Sequence, residues 1–183
     1  MRISIIILSL VCANTFGITP VEFAKAKEKA EMGDAVAQFN LGCSYYIGDG
    51  VSKDSVEAIK WYKTSAEQGC PEGQSALGYC YFEGKGVIKD EAEAVKWFRK
   101  AAEQGDAIAQ YNLGGCYLKG FGVLKDSVEA YAYYNLAGIT LESARKNRDL
   151  LEKEMTPSQR EAGLKRSKEL LVLIEAKKKA ESK

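Results

Sequence analysis

The first candidates for chemistry in this chain are a serine and a lysine three residues apart. Ser143 and Lys146 have the Ser-x-x-Lys spacing of serine enzymes that act on β-lactams, and on a helix this spacing places both side chains on one face. Lys63-Thr64-Ser65 resembles the Lys-Thr-Gly element of those enzymes, but it falls in a helical pattern and not on a strand. Because serine and lysine are both common here, one such pair is expected by chance. We therefore predict no catalytic residues and no enzyme activity.

The composition and the glycine pattern argue against several other kinds of site. The chain contains no histidine, which removes Ser-His-Asp and Cys-His nucleophile pairs and the commonest zinc ligand. Gly-x-Gly-Val recurs from Gly48, Gly84 and Gly120, but each copy follows a helical segment and lacks the lysine and serine of a phosphate loop. A net charge of +1 gives no reason to expect nucleic acid. We expect no cofactor, no metal and no nucleic-acid partner.

The first 17 residues read as a targeting segment. Arg2 precedes an apolar run over residues 3–11, and small residues at Ala13 and Gly17 offer two cleavage positions. The run is too short for a transmembrane span, which needs about 20 apolar residues. The alternatives are a lipid-modified Cys12 and a buried N-terminal helix. We expect an exported protein, periplasmic or secreted.

The elements that follow are organised by an internal repeat. Aligning the chain with itself at an offset of 36 residues defines three units, residues 30–65, 66–101 and 102–137. Each unit carries Leu-Gly, Gly-x-Gly-Val, Lys-Asp and a pair of aromatic residues in the same register. The aromatic pairs are Trp61-Tyr62, Trp97-Phe98 and Tyr133-Tyr134.

The spacing within each unit predicts two helices joined by a glycine turn. In the first helix Ala37, Leu41 and Tyr45 form an apolar stripe, and Gly42 beside it lets a neighbouring helix approach. The glycines of Gly-x-Gly can take left-handed conformations that end this helix. The second helix begins at an aspartate N-cap with a glutamate three residues later. These N-caps are Asp54, Asp90 and Asp126.

Both ends of the repeat array are predicted to be capped. Residues 18–29 form a capping helix that opens with the capping box Thr19-Pro20-Val21-Glu22. Residues 138–155 are a degenerate fourth repeat, and residues 156–183 form a last helix that ends in a basic tail. From Arg145 to Lys183 there are 12 lysines and arginines against 7 acids. This excess indicates either a solvated helix end or a patch for an acidic partner.

The pattern Ala-x-Ala-Gln-x-x-Leu-Gly-x-x-Tyr-x-x-Gly-x-Gly-Val resembles the Sel-one-like repeat, a longer relative of the tetratricopeptide repeat, across residues 30–137. One departure is Tyr133, where that repeat usually has tryptophan. The resemblance implies an all-α fold, a right-handed α-solenoid of helix-loop-helix repeats, in an adaptor that offers a concave surface to a peptide or protein. We expect a monomer with no transmembrane span. Some exported, cysteine-rich members are associated with β-lactam binding and weak hydrolysis, which is a remote alternative here.

The face opposite the apolar stripe is the candidate partner-binding groove. Its residues are aromatic rings with interspersed amides, which suit recognition of an extended peptide. They are Phe39, Asn40, Cys43, Tyr46, Tyr79, Phe82, Tyr111, Asn112 and Leu118. The alternative is that Phe39 and Tyr111 pack between first helices while Tyr46 and Phe82 cover the loops.

The cysteines have no obvious pairing in this geometry. Cys80 and Cys116 occupy the same repeat position, and helices about 8–10 Å apart exceed the separation of about 7 Å that a disulfide spans. We expect these two in the core, Cys43 in the groove and Cys70 in a loop, and leave open whether all four are free.

Two functions follow from the sequence. The first is a non-enzymatic interaction scaffold that reads a peptide or protein along the groove. The second is an envelope-associated structural protein that acts through its basic tail, with Lys177-Lys178-Lys179 at its centre.

Overall fold

The computed structural model describes residue 12 and residues 17–181, and every regular element in these residues is a helix. The described residues form nine helices: α1 (Pro20–Glu31), α2 (Ala35–Ile47), α3 (Ser55–Glu67), α4 (Pro71–Glu83), α5 (Glu91–Ala102), α6 (Ala107–Lys119), α7 (Ser127–Ala137), α8 (Glu142–Glu152) and α9 (Pro157–Glu181). None of these helices is long and apolar enough to cross a bilayer. The all-α class is confirmed. The chain divides into two compact units between Trp97 and Phe98, within α5.

The core of the N-terminal unit is built on the stripe that the sequence predicts. Ala37 and Leu41 of α2 are buried together with Ala30, and Tyr45 packs against this cluster. In this unit α2 packs against α1, α3 and α4. The predicted capping box of α1 is present, because the Thr19 N–H donates to Glu22 Oε2 at 2.7 Å and the Glu22 N–H donates to Thr19 Oγ1 at 3.2 Å.

The two helices of a repeat meet at a glycine. A Cβ added to Gly42 would lie 2.7 Å from Cδ1 and Cε1 of Tyr62, whose ring is fully buried on α3. The C-terminal unit repeats this contact, since a Cβ on Gly114 would lie 2.9 Å from Cδ1 of Tyr134. The predicted close approach at the Leu-Gly positions is confirmed at both glycines.

The turn and the cap between the helices also follow the sequence. Gly48 ends α2 with φ of 84°, and Gly50 has φ of 71°, so both occupy the left-handed region that favours glycine. Asp54 Oδ1 then accepts hydrogen bonds from the N–H groups of Val56 and Glu57 at 2.9 and 3.0 Å. These bonds satisfy two donors at the start of α3 that have no partner within the helix.

The C-terminal unit is completed by α8 and α9, which both pack against α7. Ala144 and Leu151 of α8 are buried, and the helix ends at Glu152, short of the predicted boundary at residue 155. A second capping box opens α9, because the Thr156 N–H donates to Gln159 Oε1 at 2.9 Å and the Gln159 N–H donates to Thr156 Oγ1 at 3.3 Å.

The bonding of the cysteines differs in one respect from what the sequence predicts. Cys43 forms a disulfide with Cys12, with the two Cα atoms 5.3 Å apart, although the sequence placed Cys43 in an open groove. Cys12 belongs to the predicted leader, of which the structure describes only this residue and Gly17. Cys80 and Cys116 are buried, as predicted for core residues, and Cys70 is the N-cap residue of α4. The sequence pattern missed the bridge because Cys12 lies outside the repeat.

Replacing Gly42 by alanine should destabilise the protein. Alanine gains about 1 kcal/mol of helix propensity over glycine, but its methyl group would overlap the buried Tyr62 ring, and such overpacking costs about 1–3 kcal/mol. We expect a net loss of up to about 2 kcal/mol in the free energy of unfolding by urea. In a Tyr62→Leu background the ring is absent, so Gly42→Ala should no longer destabilise. An equal loss in both backgrounds would contradict the proposed contact.

Thiol counting should reveal the bridge. Denatured, unreduced protein should expose three reactive thiols, those of Cys70, Cys80 and Cys116, and reduction should raise the number to the five cysteines of the sequence. In the native protein Cys80 should react slowly, because burial raises its pKa to about 12 and leaves little thiolate at neutral pH. Intact-mass measurement after alkylation gives the count. The Cys12→Ser variant is the control and should show four thiols before reduction.

Candidate functional site

In the N-terminal unit the predicted groove residues meet at a pair of tyrosines. The rings of Tyr46 on α2 and Tyr79 on α4 contact edge to face, with centroids 6.4 Å apart. Tyr46 is half-buried, whereas Tyr79 is 7% exposed. Lys53 Nζ lies 5.7 Å from the centroid of the Tyr46 ring, within the range of a cation–π contact. Asn40 is also half-buried, on the same helix as Tyr46.

The other predicted groove residues of this unit lie in its interior. Phe39 is buried with its ring centroid 6.0 Å from that of Tyr62. Phe82 is buried, and Lys89 Nζ lies 5.5 Å from its ring centroid. Cys43 is fully buried by its bridge. Asn40 and Tyr46 are therefore the predicted groove residues of this unit that are not buried.

In the C-terminal unit two of the three predicted groove residues are buried, and α8 covers one of them. Tyr111 is 3% exposed, its ring centroid lies 5.6 Å from that of Tyr134, and its hydroxyl accepts a hydrogen bond from Asn147 Nδ2 on α8 at 3.0 Å. Asn112 is 1% exposed. Leu118, near the end of α6, is half-buried and open to a partner. The spacing of residues within a repeat could not predict this cover, because α8 lies outside the regular repeat.

The serine–lysine pair considered for β-lactam chemistry is not assembled as a nucleophile and its base. Ser143 and Lys146 are exposed on α8, and Lys146 Nζ forms a 2.7 Å ion pair with Glu142. In the N-terminal unit Lys63 pairs with Glu67 at 3.8 Å, and Thr64 Oγ1 donates to the carbonyl of Lys60 at 3.0 Å. Ser65 is buried and donates to the carbonyl of Ala35 at 2.6 Å, so its hydroxyl has a structural role.

The C-terminal unit contains a cavity that the sequence analysis missed. Its volume is about 570 Å³, and residues of α5, α6, α7 and α9 surround it; we call it the C-terminal cavity. On one wall the rings of Tyr117 and Tyr133 are stacked with centroids 5.8 Å apart and planes 7° apart. Arg99 Nη2 donates to the Tyr117 hydroxyl at 3.0 Å. On the α9 side Arg166 Nε donates to Glu129 Oε1 at 2.7 Å.

The sequence did carry a signal for this cavity. Tyr133 stands at the repeat position that Trp61 and Trp97 occupy in the first two units. A phenol ring is smaller than an indole, so this replacement leaves room beside α7. The repeat spacing identifies the replacement, but only the packing of α9 against α7 shows that the space beside Tyr133 becomes a cavity.

Comparisons with known proteins agree with the repeat pattern. The sequence model of the Sel1 repeat matches residues 35–70, 71–106 and 107–138. No curated protein matches the chain. A similar solved structure is a Sel1 repeat protein from Oxalobacter formigenes, with 41% identity, a TM-score of 0.63, and coverage of 70% of this chain and 97% of that one.

A second similar structure is a protective antigen present in uropathogenic Escherichia coli strains, which displays an SLR fold. It is 36% identical to this chain with a TM-score of 0.78. The alignment covers 83% of this chain but 33% of the antigen, so this chain corresponds to about one third of that protein. Both relatives share the all-α repeat fold of the solenoid type.

Burial shifts the ionisation of several tyrosines in the two units. Burial raises the pKa of Tyr133 to about 12 from the ordinary value of 10, with a further contribution from the neighbouring Tyr117. Burial likewise raises the pKa of Tyr62 and Tyr134, whose rings fill the helix contact at Gly42 and Gly114. The phenolate form of each of these residues is disfavoured in the folded state.

We expect stability to fall as the pH rises above 10. In the unfolded chain these tyrosines lose their protons near pH 10, whereas in the folded protein Tyr133 keeps its proton to about pH 12. The unfolded state then binds fewer protons, so the free energy of unfolding declines across this window. Urea unfolding at a series of pH values measures the decline. Tyr133→Phe removes one titrating group and should make it shallower; an unchanged slope would contradict the shift.

Proposed function

Because the chain belongs to the Sel1 repeat family, whose members are generally protein-interaction scaffolds, we propose that it is a non-enzymatic adaptor that binds a peptide or protein through its first helices. The observation that carries this proposal is the contact between Tyr46 and Tyr79 on successive first helices. It places a half-exposed aromatic ring on a rigid support, and tyrosine is enriched among the residues that dominate binding energies.

The polar neighbour of this ring favours recognition of an extended chain. Asn40 lies on the same helix as Tyr46 and is half-buried, so its amide is open to a ligand. A side-chain amide offers both a donor and an acceptor to a peptide backbone. Ring and amide together suit a peptide with an apolar side chain beside an exposed peptide bond. In the C-terminal unit, the half-buried Leu118 supplies apolar surface of the same kind.

We also propose that the protein acts outside the cytoplasm. The apolar run of residues 3–11 supports export, and a disulfide between Cys12 and Cys43 suits an oxidising compartment. One of the similar structures belongs to a protective antigen of a bacterial pathogen, which fits the same location.

A second candidate function rests on the charge of α9. Lys177, Lys178 and Lys179 are all exposed in its last turns. Such a cluster attracts an acidic surface of the cell envelope by an electrostatic interaction that salt would screen. In this case the first helices would be a scaffold only.

Variants of the open residues test the adaptor proposal. Protein carrying Asn40→Ala and Tyr46→Ala should lose partners that wild type captures from an envelope extract, with affinity for an identified partner reduced at least about tenfold. Tyr79 and Asn112 are unsuitable for this purpose, because both are buried and their replacement would also affect folding. Val56→Ala on α3 is the control, since Val56 is 56% exposed outside the proposed surface. Full affinity of the double variant would refute the proposal.

Deleting residues 176–183 separates the two candidate functions. The deletion removes the three lysines but begins after Ile174, the last buried residue of α9. If the tail is the functional element, the deleted protein should be lost from the envelope fraction while its helical content is retained. If the first helices are the functional element, capture of the partner should persist.

A further inference from the structure

We propose that the C-terminal cavity binds the free carboxyl end of a polypeptide whose last residue is apolar. The residues that carry this inference belong to the C-terminal unit and do not include any residue of the predicted groove. The inference therefore adds a second binding site to the proposed adaptor and does not depend on the first.

The cavity offers a guanidinium that is hydrogen-bonded to a tyrosine and is attracted, outside any ion pair, by the exposed carboxylate of Glu103. Arg99 donates one hydrogen bond, to the hydroxyl of Tyr117, and forms no ion pair with any residue that the structure describes. Its remaining N–H groups are open to a ligand, and a guanidinium binds a carboxylate in a bidentate manner. Lys177 on α9 adds a second positive charge without an ion pair among the described residues.

The other charged groups around the cavity are largely satisfied. Arg166 is paired with Glu129 at 2.7 Å and with Glu169 at 3.6 Å. Asp126 Oδ1 accepts the backbone N–H groups at the start of α7 at 2.8 and 3.1 Å. Glu103 is exposed at the edge. An anionic ligand group is therefore drawn toward Arg99 and Lys177, and away from the carboxylates of Asp126 and Glu129.

One oxygen of the cavity needs a hydrogen-bond donor. Glu129 Oε2 is buried and accepts no hydrogen bond from the described residues, although Oε1 of the same carboxylate binds Arg166. A buried acceptor without a donor is costly, so a ligand that brings an N–H group to it gains affinity. Peptide amides supply such a donor. Fatty acids do not carry one at neutral pH.

The remaining surface suits an apolar side chain. The stacked rings of Tyr117 and Tyr133 form one wall, and Leu170, Leu173 and Ile174 of α9 contribute aliphatic surface to the other. Leu173 is 62% exposed, so this wall is open to a ligand from solvent. The volume of about 570 Å³ lies within the range of small-ligand sites, about 300–1,000 Å³.

These three features together identify the occupant. A terminal carboxylate matches Arg99, a backbone amide matches Glu129, and an apolar side chain matches the aromatic and aliphatic walls. A chain end presents all three groups within one or two residues. An internal peptide segment lacks the terminal carboxylate, and a simple carboxylate amphiphile lacks the amide.

Binding of short peptides to the full-length protein tests the proposal. We would titrate N-acetylated peptides ending in leucine, phenylalanine or tyrosine, each as the free acid and as the carboxamide, and follow binding by calorimetry. At least one free acid should bind saturably below about 1 mM, and its carboxamide should bind at least about tenfold more weakly. Decanoate, which keeps the carboxylate and an apolar body but has no amide, should also bind more weakly.

Two variants should weaken binding of the free acid. Arg99→Met keeps the aliphatic stem but removes the charge, and should reduce affinity at least about tenfold. Tyr133→Trp restores the residue found at the same position in the first two repeats and should block binding by filling the cavity. Lys63→Met is the matched control, because Lys63 occupies the repeat position of Arg99 in the first unit. Circular dichroism confirms that each variant is folded.

Several results would overturn the inference. These are the absence of saturable binding by every free acid, equal affinity for acid and carboxamide, and decanoate binding as tightly as the best peptide. The comparison of acid and carboxamide uses the wild-type protein alone, so it remains decisive if a variant fails to fold. Asn40→Ala, which tests the groove, should leave this binding unchanged, so the two sites can fail separately.

Discussion

The close contact between an α-carbon without a side chain and a buried tyrosine ring sets the geometry of the first and third repeats. At Gly42 and at Gly114 the ring of the second helix occupies the volume in which any other residue would place its Cβ. The helix pair can therefore approach closely enough to bury Leu41 and Leu113 completely. This close approach fixes the distance between the two helices, which the glycine turn and the aspartate cap connect. The apolar stripe, the turn and the cap are therefore consequences of this close approach, and not only independent features of the sequence.

The dependence of the helix pair on this contact explains why much of the fold can be predicted from the sequence. Residues such as Gly48 and Asp54 act within a few positions along the chain, through backbone conformation or through bonds to nearby N–H groups. Patterns of this kind repeat every 36 residues and can be recognised without knowledge of tertiary contacts. The helix starts and the core stripe were predicted for that reason.

The candidate sites were less predictable because they depend on what lies outside the repeat. Nothing in the spacing of Tyr111 indicates that Asn147 of α8 binds its hydroxyl. Cys43 likewise looks like a groove residue until Cys12 is bonded to it. The C-terminal cavity exists because α9, which has no repeat signature, packs against α7 beside Tyr133. Helical periodicity identifies a face of a helix, but the irregular ends of the chain decide whether that face is exposed.

The disulfide has a consequence for the covalent make-up of the protein. Both cleavage positions predicted in the leader, after Ala13 and after Gly17, follow Cys12, whereas its partner Cys43 lies within the first repeat. If the bridge forms before cleavage, hydrolysis of the peptide bond produces a molecule of two polypeptides joined through sulfur. If cleavage comes first, Cys43 loses its partner and is left with a thiol beside the Tyr62 hydroxyl. The covalent composition of the cleaved molecule would thus record the order in which oxidation and proteolysis took place.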